Sequence, residues 1–274
     1  MPIVKKQSMK KKAAKSSMAS AWDYTDSISL LLYGRSGTGK TTLWATFPKP
    51  ILAIICSGGI RPGELKSINT PEYRKTIKAW VVKESTDVRD LLETAGDFAT
   101  VVLDHGSGLQ DLVLKEVLGL DELPAQKSWG LASQQQYGQC TQQCKEIMRA
   151  MLNLPQHRVI VAQERSFEGD GNNQDVIAPC IGAAMTPSLV GWLNPACDYI
   201  GETFIRGKTI EKVIKSGKKT LRQRVRVKGV EYCLRTGPHD VFTTKFRVPR
   251  GRTLPEEIVD PSFEAVMEII NGKG

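Results

Sequence analysis

Gly34-Arg35-Ser36-Gly37-Thr38-Gly39-Lys40-Thr41 spells glycine, four residues, then Gly-Lys-Thr. That spacing suits a chain of phosphates. Glycines let the backbone curl until several N–H groups point at one anion, and a following helix adds its positive N-terminal end. The Lys40 ammonium can sit on the β- and γ-phosphates, and the Thr41 hydroxyl can ligate Mg²⁺. Gly34, Arg35, Ser36, Gly37, Thr38, Gly39, Lys40, Thr41 and Thr42 are therefore the expected nucleotide cradle. Further on, Thr100-Val101-Val102-Leu103-Asp104 is an apolar run that ends in a carboxylate. Such an Asp holds Mg²⁺ directly or through water. A helix-capping Asp is the competing reading, and the phosphate loop upstream favours the ligand.

These groups need a scaffold. Leu30 to Tyr33, with Ile28 just upstream, reads as a buried strand before the loop. A short helix over 42–47 should stop ahead of Pro48 and Pro50. Ile51 to Cys56 is a continuous apolar run, the mark of a strand covered on both faces. Ser57-Gly58-Gly59 follows it as a turn, at the strand end where open α/β sheets bind ligands. The pattern predicts a strand over 79–82, helices over 86–94, 108–118 and 134–152, and a core strand over 158–163. Residues 164–185 read as a polar, Gly-rich loop, either functional or disordered. Thr186-Pro187 should open a short helix, with the Thr as its cap.

Beyond Asp198 the pattern becomes strand-like over 199–205, 221–227, 230–234 and 241–246. Lys228-Gly229 and Thr236-Gly237-Pro238 are the expected hairpin turns. A closing helix places Phe263, Val266, Met267 and Ile270 on one core face.

Hydrophobic residues make up 41% and charged residues 24% of the 274, ordinary values for a globular chain. No apolar run approaches the roughly 18 residues of a membrane span. Six cysteines without paired spacing read as reduced core thiols, Cys140 and Cys144 included. The net charge of +9 is concentrated. Residues 1–20 carry six lysines and no acid, and residues 206–228 carry ten basic side chains and one acid. Residues 1–21 are expected to be a disordered tail and 22–274 one domain, the basic strands and the closing helix included.

The asymmetry points to a polyanion, nucleic acid first. In the second segment Arg222, Arg224, Arg226 and Lys228 recur at every second position, with Lys218 and Lys219 just before. In a strand that period gives a row of cations about 6.6 Å apart, close to the phosphate spacing of an extended single strand. An edge strand guarded by charge is the alternative.

The phrases LLYGRSGTGKTTLWATFPKP, TVVLDHGSGLQDLV, RVIVAQE and YCLRTGPHDVF sharpen the picture. Together they resemble the compact phage-encoded RecA-like ATPases that work beside single-strand annealing proteins. The resemblance implies an α/β fold: a RecA-like P-loop core whose mostly parallel sheet is flanked by helices, with C-terminal antiparallel strands. It implies ATP and Mg²⁺ as ligands, single-stranded DNA as partner, and help in annealing or homologous recombination. It further implies a homo-oligomer, an annealing or single-strand-binding protein beside it, and a cytoplasmic place, the host's where the chain is phage-encoded. Lys40, Asp104 and Gln163 form the implied catalytic set, Gln163 as γ-phosphate sensor, and Glu164 next to Gln163 is a candidate base. The loop after Gln163, with Arg165 at its start, falls where that fold binds DNA.

Two departures stand out. Such enzymes carry a catalytic Glu after the second core strand, where this chain reads Cys56-Ser57-Gly58-Gly59. Either Glu64 or Glu164 takes the role of base, or hydrolysis is slow and the nucleotide acts as a switch. His105 stands where a small polar residue is usual. A nucleotide-gated DNA-binding or assembly protein with little turnover, or a helicase or packaging motor, are the alternative functions.

Overall fold

The computed structural model describes residues 27–57, 63–121, 123, 132–167, 180–216 and 219–272, with backbone alone at 64 and 211–224. The expected tail, Lys218 and most of the loop over 164–185 lie outside the described residues.

β1 (Ser29–Gly34) leads into α1 (Lys40–Trp44), and β2 (Ile51–Ile55) follows. After a 3-10 turn at Glu64–Ile68 come α2 (Pro71–Thr76), β3 (Ile77–Val81) and α3 (Ser85–Glu93). β4 (Thr100–Asp104), α4 (Gly106–Leu118), α5 (Gln134–Leu152) and β5 (His157–Ala162) complete the parallel half. β6 (Glu164–Phe167) and β7 (Cys180–Ala183) pair antiparallel as a small separate sheet. Then come α6 (Pro187–Ala196), β8 (Tyr199–Ser216), β9 (Lys219–Arg235), β10 (Lys245–Phe246), β11 (Glu257–Val259) and α7 (Phe263–Asn271).

The main sheet runs β11-β9-β8-β1-β5-β4-β2-β3, with β10 paired to β8. From β8 to β3 every pairing is parallel; β9, β10 and β11 join antiparallel. The order follows from burial. β1, β2 and β4 are buried at every position, so each feeds both faces of the sheet. Successive side chains alternate between faces. Leu31 and Tyr33 therefore join Leu52, Leu103, Leu112, Ile147 and Leu193 in one core, under α4, α5 and α6. Leu30 and Leu32 join Ile51, Val102 and Val161 in the other, under α1 and α7. Phe263, Met267 and Ile270 pack on that second core and Val266 is buried in it, as the spacing predicts.

Close approach explains one glycine. A Cβ on Gly108 would stand 1.8 Å from the Cys56 carbonyl oxygen, so only glycine lets α4 press against the end of β2. Cys140 and Cys144 are buried on α5, and the Cys140 thiol donates to the Gln110 carbonyl at 3.5 Å.

Four expectations need correction. Lys228-Gly229 is not a turn: β9 is one strand from Lys219 to Arg235. The register slips between Gly207 and Thr209, and Gly229, at φ 121°, supplies the backbone that this bulge needs. Lys228 thus falls in the irregularity, out of step with Arg222, Arg224 and Arg226, which pair with Val213, Glu211 and Thr209. The strand expected over 241–246 shrinks to Lys245–Phe246. The Val241 and Phe242 amides instead donate to His239 Nδ1. The flanks of the loop at 164–185 are strands, β6 and β7. Thr186 stands at the N-cap of α6, but its hydroxyl makes no capping bond.

Candidate nucleotide-binding site

Gly34 ends β1 and Lys40 begins α1, so the loop between them lies at the C-terminal edge of the sheet. Gly37 and Gly39 take φ 81° and 91°, the left-handed region where only glycine is unstrained. Thr38 locks the curve by donating to the Arg35 carbonyl at 2.8 Å, and it shares a 2.7 Å hydrogen bond with Thr203 of β8. The Lys40 ammonium is buried and turned back on the loop, donating to Gly34 O at 2.7 Å and Arg35 O at 2.6 Å. Burial lowers its pKa to about 8, against the opposing pull of Asp104 and Glu164.

β5 lies between β1 and β4. Asp104 therefore reaches the site from one strand beyond the neighbour of β1. Its carboxylate is buried, and Oδ2 accepts the indole N–H of Trp44 at 3.0 Å. The Asp104–His105 peptide is cis. His105 caps α4, its Nδ1 accepting the Gly108 N–H at 2.8 Å. Gln163 follows β5 directly, and its carbonyl accepts the Ala184 amide at 2.7 Å.

These residues converge. A cleft of 510 Å³ is lined by Ser36, Gly37, Gly39, Lys40, Thr41 and Thr42 on one side. Asp104, His105 and Gln163 close it, and Gly63, Lys66, Ser67 and Tyr232 complete the wall. Buried cationic and anionic groups opening on one polar cleft fit a nucleotide with Mg²⁺. Gly37, Gly39 and Lys40 would hold the phosphates, and Thr41 with Asp104 the ion. Mg²⁺ is characteristically held by one or two protein oxygens together with substrate phosphates. The ion would screen the phosphate charge.

Glu164 lies next to the cleft, close enough to act on the Lys40 charge. Its carboxylate pairs with the exposed Arg35 guanidinium at 2.7 Å, and it does not line the cleft. Glu64 opens the 3-10 turn, and its side chain lies outside the described residues. Arg165, on β6, stacks its guanidinium on Phe167. Arg226 and Lys228 are exposed on β9; Lys219, Arg222 and Arg224 are placed by backbone register only.

Sequence reasoning missed Trp44, Thr203, Lys66, Ser67 and Tyr232. Tyr232 opens the phrase YCLRTGPHDVF, so a signal was present without a reason to tie it to the phosphate loop. Trp44 stands one helical turn after Lys40, a second available hint.

The fold and the cleft define a P-loop nucleotide-binding protein. A family model described as an AAA domain matches residues 26–248. The chain belongs to this AAA-domain family of ATPases. No curated protein matches the sequence. Among solved structures it is similar to the flagellar accessory protein FlaH from Methanocaldococcus jannaschii, at 10% identity and a TM-score of 0.40. That alignment covers 85% of this chain and 84% of the other. It is also similar to a KaiC-like protein from Pyrococcus horikoshii OT3, at 10% identity and a TM-score of 0.38, over 75% of this chain and 84% of the other. The sheet is mostly parallel and flanked by helices, with antiparallel C-terminal strands, the architecture that the resemblance implied. Among the described residues no helix is long and apolar enough to cross a membrane.

Proposed function

We propose that this protein binds and hydrolyses ATP with Mg²⁺, and that it binds single-stranded DNA to assist annealing or homologous recombination. The convergence of the Gly34–Thr42 loop, Asp104 and Gln163 on one cleft carries the nucleotide half of this reading. In that cleft Lys40 leaves its loop carbonyls for the phosphates, since an anionic partner is the stronger one for an ammonium. Gln163 senses the terminal phosphate and reports it to β6, which begins at the next residue.

The DNA half rests on the basic segment. Between Thr209 and Ser216, β8 pairs only with β9 among the described residues, so the two strands leave the sheet as a ribbon. A ribbon with Arg226 and Lys228 exposed suits a phosphate backbone read without sequence preference. Its partners would be single-stranded DNA, an annealing or single-strand-binding protein, and further copies of this chain, in the cytoplasm of a host if the chain is phage-encoded. Titration with labelled oligonucleotides at several salt concentrations, with and without ATP, tests this. Single-strand affinity that falls with salt and depends on nucleotide supports it.

One observation favours a second reading, a nucleotide-gated DNA-binding protein with little turnover. Among the described residues Asp104 is the sole carboxylate lining the cleft, and Glu164 is held by Arg35. A turnover assay separates the two.

A further inference from the structure

Besides the His105 imidazole, Tyr232 is the one aromatic ring lining the cleft among the described residues. It belongs to β9, far in sequence from the phosphate loop. Its ring lies against Gly39: a Cβ there would stand 3.2 Å from Tyr232 Cδ1 and 3.8 Å from Cγ. Even so, 43% of the tyrosine is exposed. Across the ladder Ile205 is its direct partner, and Val230 lies two residues along the same face. These two are 50% and 53% exposed, so the ring belongs to an apolar patch at the mouth of an otherwise polar cleft.

The two chemistries match two parts of a nucleotide. Lys40, Thr41 and Asp104 suit the phosphates and their metal, whereas a flat ring beside aliphatic side chains suits a heterocycle. We propose that Tyr232 is the platform on which the nucleobase stacks, with Ile205 and Val230 as its apolar border. The proposal rests on the reading of the cleft as a nucleotide site. Stacking reads the face of a base and not its edge, so the preference follows ring size, purine over pyrimidine. Because β9 continues into the basic ribbon, the nucleotide then touches the element that carries Arg226 and Lys228.

The test compares the parent with Tyr232→Phe, Tyr232→Leu and Tyr232→Ala. Leucine keeps an apolar contact with Gly39 but has no π face. Each protein is titrated with 2-aminopurine riboside triphosphate, followed by its emission, and with inorganic tripolyphosphate as competitor. Loss of one stacked base predicts affinity for the base analogue about 5- to 150-fold weaker in the Leu and Ala variants. Tripolyphosphate affinity stays at the parent value, Phe stays within about twofold of the parent on the same scale, and the quenched emission recovers in Leu and Ala. Unchanged affinity and quenching in Leu and Ala overturn the stacking role. So does an equal loss for tripolyphosphate, which would mean that the ring only props the loop. A parent that binds neither compound overturns the nucleotide reading itself, and the stacking role with it.

Discussion

The Trp44 indole N–H donates to Asp104 Oδ2 at 3.0 Å, inside the protein. The bond joins the helix behind Lys40 to the strand end that carries the candidate Mg²⁺ ligand, so it helps to set the distance between the two halves of the site. Trp44→Phe keeps an aromatic in the core but takes this donor from the buried carboxylate. Stability should fall by about 1–3 kcal/mol, read by denaturant titration. Asp104→Asn should keep nucleotide binding and lose Mg²⁺-dependent turnover, since the amide brings no charge to the metal. Turnover at the parent rate would make Asp104 a structural group.

Lys40 gives the cleft a pH dependence. Its ordinary pKa of 10.5 is lowered to about 8 by burial. Between about 8 and 10.5 the unfolded chain holds the proton more often than the folded one, so this group makes stability rise with pH across that window. Below about 8 the folded protein carries the full cost of the buried charge. Nucleotide binding runs the other way, because phosphates favour the ammonium. ATP affinity should fall as pH rises past about 8, with proton uptake on binding visible by calorimetry in two buffers. Lys40→Ala should weaken ATP binding about 10- to 150-fold and remove that pH dependence.

Two helical glycines should answer oppositely to alanine. Gly108→Ala drives a methyl into the Cys56 carbonyl, where the nearest atom is backbone and cannot swing aside. A loss of about 1–3 kcal/mol or more is expected. Gly138, within α5, has nothing within 4 Å of a built Cβ. There alanine should stabilise by up to about 1 kcal/mol through helix propensity alone. Paired thermal melts measure both.

Much of this was legible because the parallel strands are buried on both faces. β2 and β4 read directly as unbroken apolar runs, and α5 begins and ends where its pattern does, at Gln134 and Leu152. Ends shifted where the backbone chose a different partner. α1 starts at Lys40 because Gly39 turns the chain into it, and the Thr46 and Phe47 amides close three-residue turns on Leu43 and Trp44. Lys228-Gly229 misled because a positive φ at glycine serves a bulge as well as a turn. The strand over 241–246 failed because a side chain, His239, took its amide donors. The place of Tyr232 on Gly39 depends on how β8 docks beside β1, through pairs such as Leu31 with Ile200. No local pattern encodes that.

The basic ribbon carries its own prediction. Arg222, Arg224 and Arg226 hold alternate positions in β9, in the stretch that pairs only with β8 among the described residues. Changing all three to Gln should weaken single-stranded DNA binding with little sequence preference, while ATP binding survives. The slope of log affinity against log salt should flatten by about 0.7 for each phosphate that is no longer neutralised. Parent affinity and slope in the triple variant would make the row a guard on an edge strand, and would move the search to the segment over 164–185.

The most direct test of the whole account is steady-state ATP turnover by the full chain with Mg²⁺, measured with and without single-stranded DNA. The account predicts Mg²⁺-dependent hydrolysis that rises when DNA is added and disappears in Lys40→Ala. Turnover that ignores DNA, or that persists in Lys40→Ala, would contradict it.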